Sequence, residues 1–124
     1  GLHGIPGDMT PPSRFVRSAF FQATAFKQAT GEKAVFQAFH LLNNFDIPVG
    51  IQFSEIQTVP DIPSATQWTV ATDIANRRIY YKTMHNNTIR CIDLRAINFK
   101  KVKYQSAPLD KTKTQPVEMV HINK

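Results

Sequence analysis

Apolar residues recur at three- and four-residue spacing over residues 10 to 27, where Phe15, Val16, Ala19, Phe20, Ala23 and Phe26 fall on one side, which predicts an amphipathic helix. Thr10 suits its N-cap, and Pro11 and Pro12 suit its first turn, where a missing amide hydrogen costs nothing. A second helix follows. Thr30 can cap it, Ala34, Val35, Ala38, Phe39 and Leu42 form its apolar stripe, and Asn43, Asn44 and then Pro48 stop it. Residues 46 to 66 carry Pro48, Gly50, Pro60 and Pro63 and read as a long connection, with a short extended piece expected around "GIQFSEI".

From residue 67 the period changes to two. Runs at 67 to 73, 78 to 84 and 88 to 94, separated by "IANR" and "HNN", predict a three-stranded antiparallel meander, with Asn86-Asn87 as a tight turn of positive φ. Alternation gives one set of Trp68, Val70, Ile79, Tyr81, Ile89 and Cys91, and an opposite set of Ala71, Tyr80, Met84, Ile92 and Leu94. Neither set is cleanly polar. A sheet with one wet face alternates apolar with charged residues, so this one is expected between two other layers. The two helices can cover one face, and little else in the chain can cover the second. Partner structure outside the chain is therefore expected.

With 124 residues the chain suits one domain and one core. It opens on "GLHGIPGD", without Met and without the charged and apolar regions of a signal peptide, and reads as a piece or a processed product of something longer. No apolar run approaches the roughly 18 to 20 residues that cross a bilayer, and no membrane partner is expected. The net charge of +6 raises the question of nucleic acid. Much of the excess lies in the segment 95 to 124, where Arg95, Lys100, Lys101, Lys103, Lys111, Lys113 and Lys124 stand against Asp110 and Glu118. Phe99 and Tyr104 interleave with them, yet no paired strand aromatics, GxxG loop or zinc ligands accompany the cluster. A solvated C-terminal segment without nucleic acid is the expectation.

Candidate chemistry is sparse. His3, His40, His85 and His121 lack metal-ligand spacing, and no cofactor or metal is expected. No GxSxG elbow is present, and "GLHGIPG" lacks the lysine of a phosphate loop. Cys91 cannot form an internal disulfide and reads as a small hydrophobe packed in a strand. Arg14 stands out. It falls in the first turn of a helix, where the dipole disfavours a cation, so either it is a surface group, solvated or paired with Asp8, or something else holds it there.

"GIPGDMTPPSRFVRSAFF", then "FHLL" in the second helix, then "WTVATDIANRRIYYKTMHNNTIRCIDL", resembles the C-terminal part of the choloylglycine hydrolase family, which includes conjugated bile acid hydrolases and penicillin V acylases. The likeness runs from Gly4 to about Leu94, and its most specific piece is Pro6, Gly7 and Asp8 followed by Ser13 to Arg17. The resemblance implies an α+β fold that is part of a four-layer αββα N-terminal nucleophile hydrolase sandwich, here two helices followed by an antiparallel β-meander.

It also implies that residues 1 to 124 belong to a single domain: an active-site loop (1 to 10), two helices (11 to 45), a connection (46 to 66), the meander (67 to 94) and the basic segment (95 to 124). In such enzymes a processed N-terminal cysteine attacks a linear amide and its own amino group is the base. The family's SRF arginine matches Arg14, a cation beside the thiolate; Arg17 reads as structural.

The implied partners are a small-molecule amide substrate, the N-terminal remainder of the same protein, and further copies in a tetramer. Thr10, Pro11 and Pro12 stand where many members have two serines, which is closer to the Gram-negative penicillin-acylase-like branch. Periplasmic location is implied on that basis, with the cytoplasm as the alternative. No nucleophile or oxyanion asparagine of the family can be matched in this sequence, so the chain alone is expected to be inactive. The other reading is a non-catalytic interaction domain whose basic C-terminus binds an acidic partner.

Overall fold

A computed structural model describes residues 3–51 and 63–122. Two compact units meet in sequence at Thr66 and Gln67. The first holds helix α1 (Pro11–Thr24) and helix α2 (Gly31–Leu42), followed by a 3-10 turn (Asn43–Phe45). Thr10 is the N-cap of α1, with proline in the first turn, and Thr30 caps α2 by accepting a hydrogen bond from the Lys33 backbone N–H at 3.3 Å. Glu32 in the first turn complements the dipole of α2. Just past that helix, the Asn44 side-chain amide donates to the His40 and Leu41 carbonyls of its last turn. The expected extended piece at 50 to 56 lies mostly outside the described residues.

Of the expected α2 stripe, Val35 and Phe39 are buried and Ala38 and Leu42 half-buried, whereas Ala34 is exposed. Helix α1 is turned differently. Its buried residues are Ser13 and Arg17, while Phe15 is 72% and Phe26, just past the helix end, 86% exposed. Polar groups at the start of α1 therefore face the chain that precedes them. Phe45, in the 3-10 turn, meets Phe21 edge to face at 6.2 Å and lies under the Arg17 guanidinium at 5.4 Å, tying the end of α2 to α1.

The second unit is a meander of β1 (Trp68–Asp73), β2 (Arg78–Thr83) and β3 (Asn86–Asp93) in that order, antiparallel throughout. The first turn is built on Asp73, whose carboxylate accepts from the Asn76 backbone and side-chain amides, and it places Arg77 at φ 55. The second differs from expectation. Met84 and His85 form it, with no positive φ, and Asn86 and Asn87 already belong to β3. Thr83 closes this turn by accepting from the Asn86 N–H at 3.2 Å, so a left-handed Asn-Asn pair is not needed.

The register also corrects the face assignment. Ile79 pairs with Ile92 and Tyr80 with Cys91, so Ile92 joins Trp68, Val70 and Tyr81 on one face, and Cys91 joins Ala71 on the other. A one-residue phase error in a period-two element exchanges faces. The true faces are less alike than expected. The first carries Trp68, Val70, Ile79, Tyr81 and Ile92 beside Thr72, Thr83 and Arg90, whereas the second mixes Ala71, Tyr80, Ile89 and an exposed Cys91 with Asp73, Arg78, Lys82 and Asp93. Cys91 is therefore not packed within its unit.

Beyond Asp93 the described chain is mostly irregular and exposed, and several bonds tie it back to the sheet. Arg95 donates to the Ala75 carbonyl at 3.1 Å, the Asn87 N–H donates to the Gln115 side-chain oxygen at 2.5 Å, and a further cluster centres on Arg90. Arg90 stacks on Tyr81 at 4.6 Å, ion-pairs Asp110, and donates to the Leu109 carbonyl at 3.0 Å. Tyr81 donates to the same carbonyl. Part of the basic segment is thus pinned to the sheet rather than free in solvent.

Candidate active site

The turn at residues 4 to 8 and the first turn of α1 form one hydrogen-bonded assembly. Gly4, at φ +82, supplies a backbone conformation that side-chain-bearing residues seldom adopt. Asp8, two residues before the N-cap, accepts from the Thr10 N–H at 2.8 Å and from the Ser13 hydroxyl at 2.6 Å. The Thr10 hydroxyl donates to the Ser13 oxygen at 3.2 Å. Thr10 makes no side-chain cap of its own; Asp8 instead binds the Thr10 backbone N–H and the Ser13 hydroxyl, and a carboxylate at this end also suits the helix dipole.

These bonds favour the ionised form of Asp8. The Ser13 hydroxyl first, then Thr10, pull its pKa down to about 2. A carboxylate whose folded value is depressed adds stability above its unfolded value, near 4, and loses it as pH falls through the folded value. The stability gap between the native chain and an Asp8→Asn variant is therefore expected to be full above about pH 5 and to close between about pH 4 and pH 2. Chemical denaturation at stepped pH measures it. A gap that stays constant down to pH 2 would remove Asp8 from the helix start.

The two arginines of "SRFVR" have opposite environments. Arg17, only 6% exposed, donates through Nη1 to the Pro6 carbonyl at 2.9 Å and the Asp8 carbonyl at 2.7 Å. Ser13 and Arg17 lie four apart and share the inward side of α1. Arg14 lies on the outward side. Its backbone N–H begins the helix by donating to the Thr10 carbonyl at 3.0 Å. Its side chain is exposed, and no hydrogen bond or ion pair ties it to any described residue. It lines an open depression of about 400 Å³ with Pro11, Phe15, Ser18, Leu42 and Phe45. Pairing with Asp8, one of the two mundane explanations for Arg14, does not occur, because Thr10 and Ser13 occupy that carboxylate.

Sequence reasoning placed Arg14 at the helix start correctly but missed the Asp8 and Ser13 bond and the engagement of Arg17 with the turn. The signal was present in the spacing: Ser13 and Arg17 share a helix side, and the turn before them exposes the carbonyls that a guanidinium can take. Among the described residues no cluster of His, Cys, Asp or Glu could hold a metal ion, and no helix is long and apolar enough to cross a membrane.

Comparison with known proteins gives consistent matches. The family described as linear amide C-N hydrolases, choloylglycine hydrolase family, matches residues 1–114. A bile salt hydrolase/transferase of Clostridium perfringens is 32% identical over 99% of this chain and 35% of its own length. An uncharacterized protein of Paramecium bursaria Chlorella virus 1 is 38% identical over 73% of this chain and 33% of its own. Among solved structures, a conjugated bile acid hydrolase variant from Clostridium perfringens aligns over 98% of this chain and 35% of that one, at 28% identity and TM-score 0.67. Penicillin V acylase from Agrobacterium tumefaciens shares the fold at TM-score 0.63 and 24% identity, over 78% of this chain and 29% of that one. The chain thus spans about a third of the length of the curated relatives it matches. Its two helices and antiparallel sheet are elements of the N-terminal nucleophile hydrolase fold.

Proposed function

We propose that this chain, which belongs to the choloylglycine hydrolase family of linear amide C–N hydrolases, supplies Arg14 and the turn at residues 4 to 8 to an active site whose nucleophile is carried on polypeptide outside these 124 residues. The observation that carries the proposal is the Arg14 side chain: exposed, unclaimed by any described group, and set over an apolar depression. A cation at a helix N-terminus is disfavoured unless an anion comes to it. In this reading the anion is a thiolate and then the oxygen that gains charge as the amide is attacked.

The nucleophile in this reading is an N-terminal cysteine with its own α-amino group as base. A free amine with a pKa near 8 can take the thiol proton around neutral pH. The chain's single cysteine, Cys91, cannot fill the role, since it lies within β3 and has no free amino group. Residues 1 to 124 would then be the C-terminal part of one domain, completed by the remainder of the hydrolase and assembled as a homo-oligomer. The substrates we propose are amides of the penicillin V or conjugated bile acid type, in keeping with the names of its relatives.

Hydrolysis assays on both amides test the reading. No turnover is expected from this chain alone. Turnover is expected from the polypeptide that joins it to a mature N-terminal cysteine, and alkylation of that cysteine by iodoacetamide should abolish it. Turnover of either amide by the 124 residues alone would overturn the proposal.

A further inference from the structure

Among the described residues Arg17 is the only charged side chain that is almost wholly buried. Burying a charge is costly unless it is well bonded, and a cation this close to a helix N-terminus gains nothing from the dipole. No carboxylate pairs with it, and Asp8, the nearest in sequence, is held by Thr10 and Ser13. What Arg17 has instead is two backbone carbonyls, Pro6 and Asp8, converging on one nitrogen, and the Phe45 ring beneath its plane. Two converging carbonyls require the turn to bend with both peptide planes facing inward. The Asp8 carboxylate fixes the other side of the same turn to the helix.

We infer that Arg17 is a positioning residue for the proposed amide hydrolysis: its guanidinium clamps the Pro6–Asp8 turn against the start of α1 and thereby sets where the Arg14 guanidinium stands. The inference rests on the reading of Arg14 given above. Arg14 lies in the first helical turn, its backbone bonded to Thr10, so a shift of residues 6 to 10 moves the origin of the segment that carries it. A displacement of about 1 Å at a catalytic group can cost on the order of a hundredfold in rate.

The test uses the polypeptide that joins this chain to its nucleophile, with Arg17→Lys, Arg14→Ala and the double variant. Lysine keeps the charge and donors for the carbonyls but loses the rigid guanidinium that lies over the Phe45 ring and holds Nη1 between Pro6 and Asp8. For Arg17→Lys, kcat should fall by about tenfold with KM within about twofold. The acid limb of the kcat/KM profile should move to higher pH, because a displaced Arg14 favours the thiolate less. Since Arg17 acts through Arg14, the double variant should fall no further than Arg14→Ala alone.

Wild-type kcat and pH profile in Arg17→Lys, or losses that multiply in the double variant, would overturn the inference. If Arg17→Lys does not fold, Arg17→Gln, which keeps an amide donor for the carbonyls without a buried charge, is scored by the same outcomes. Full activity in Arg14→Ala defeats the underlying reading; impairment there with unaffected Arg17 variants defeats only this inference.

Discussion

Replacing Arg14 by alanine in the complete hydrolase is expected to lower kcat by at least about tenfold while leaving folding stability within about 0.5 kcal/mol of the native value. The two expectations come from one geometry. The side chain is exposed and bonded to no described group, so among these residues its removal opens no cavity and strands no buried partner. Taking a cation out of the first helical turn removes a small unfavourable term with the dipole. Activity is different, because a fixed cation beside a thiolate lowers the energy of both the nucleophile and the charge that develops during acyl transfer. Arg14→Lys should recover only part of the loss, since an ammonium supplies charge without the planar fork. Steady-state kinetics paired with denaturant melts on correctly processed variants decide the matter. Near-native turnover in the alanine variant would sink the assignment.

Local signals were legible in the sequence, and long-range ones were not. Thr10, Pro11 and Pro12 announced the start of α1, and Thr30 that of α2, because capping depends on neighbours within a few residues. The centre of the α2 stripe read correctly for the same reason, since Val35 and Phe39 are buried, while Ala34 at its start is exposed. Helix α1 misled because both its sides carry information. Its apolar stripe remains largely exposed, while Ser13 and Arg17 turn toward a loop whose carbonyls no periodicity reveals.

In the meander, strand existence was plain and phase was not. "HNN" suggested an Asn-Asn turn, but the Thr83 hydroxyl made a Met84 and His85 turn sufficient, and an irregularity in register between Tyr81 and Thr83 fixed the alternation of β3 independently of the turn sequence. The anchoring of Asp110 by Arg90 was equally hidden. It joins residues 20 apart in the chain, and nothing in a charge count indicates which lysine or arginine takes which acid.

The 124-residue chain on its own is expected to associate or to melt without cooperativity, and the reason lies in its apolar surface. On the sheet face defined by the register, Trp68 is 58%, Val70 43% and Ile92 40% exposed, and they adjoin one another across the three strands with Tyr81 and Ile79 between them. In the helical unit Phe15 and Phe26 are exposed as well. Arg90 and the segment around Asp110 already lie against Tyr81 on this face, and the exposed apolar residues that remain mark a surface that is normally covered. Full burial of a large apolar side chain is worth roughly 1.5 to 3 kcal/mol, and these five are 40 to 86% exposed, so covering them is worth roughly half to two-thirds of that sum, at the lower end of the roughly 5 to 15 kcal/mol that holds a typical domain folded.

The opposite sheet face, with Asp73, Arg78, Lys82 and Asp93 among its residues, has less to gain from cover. Association should therefore run through the Trp68 face. Sedimentation velocity of the purified chain should show species larger than a monomer and a hydrophobic dye should bind. A triple change of Trp68→Thr, Val70→Thr and Ile92→Thr, which keeps β-propensity while removing apolar area, should reduce both signals. A monomer that melts cooperatively and binds no dye would mean that this face needs no partner, and the physical argument for structure beyond the chain, which does not depend on its relatives, would fail.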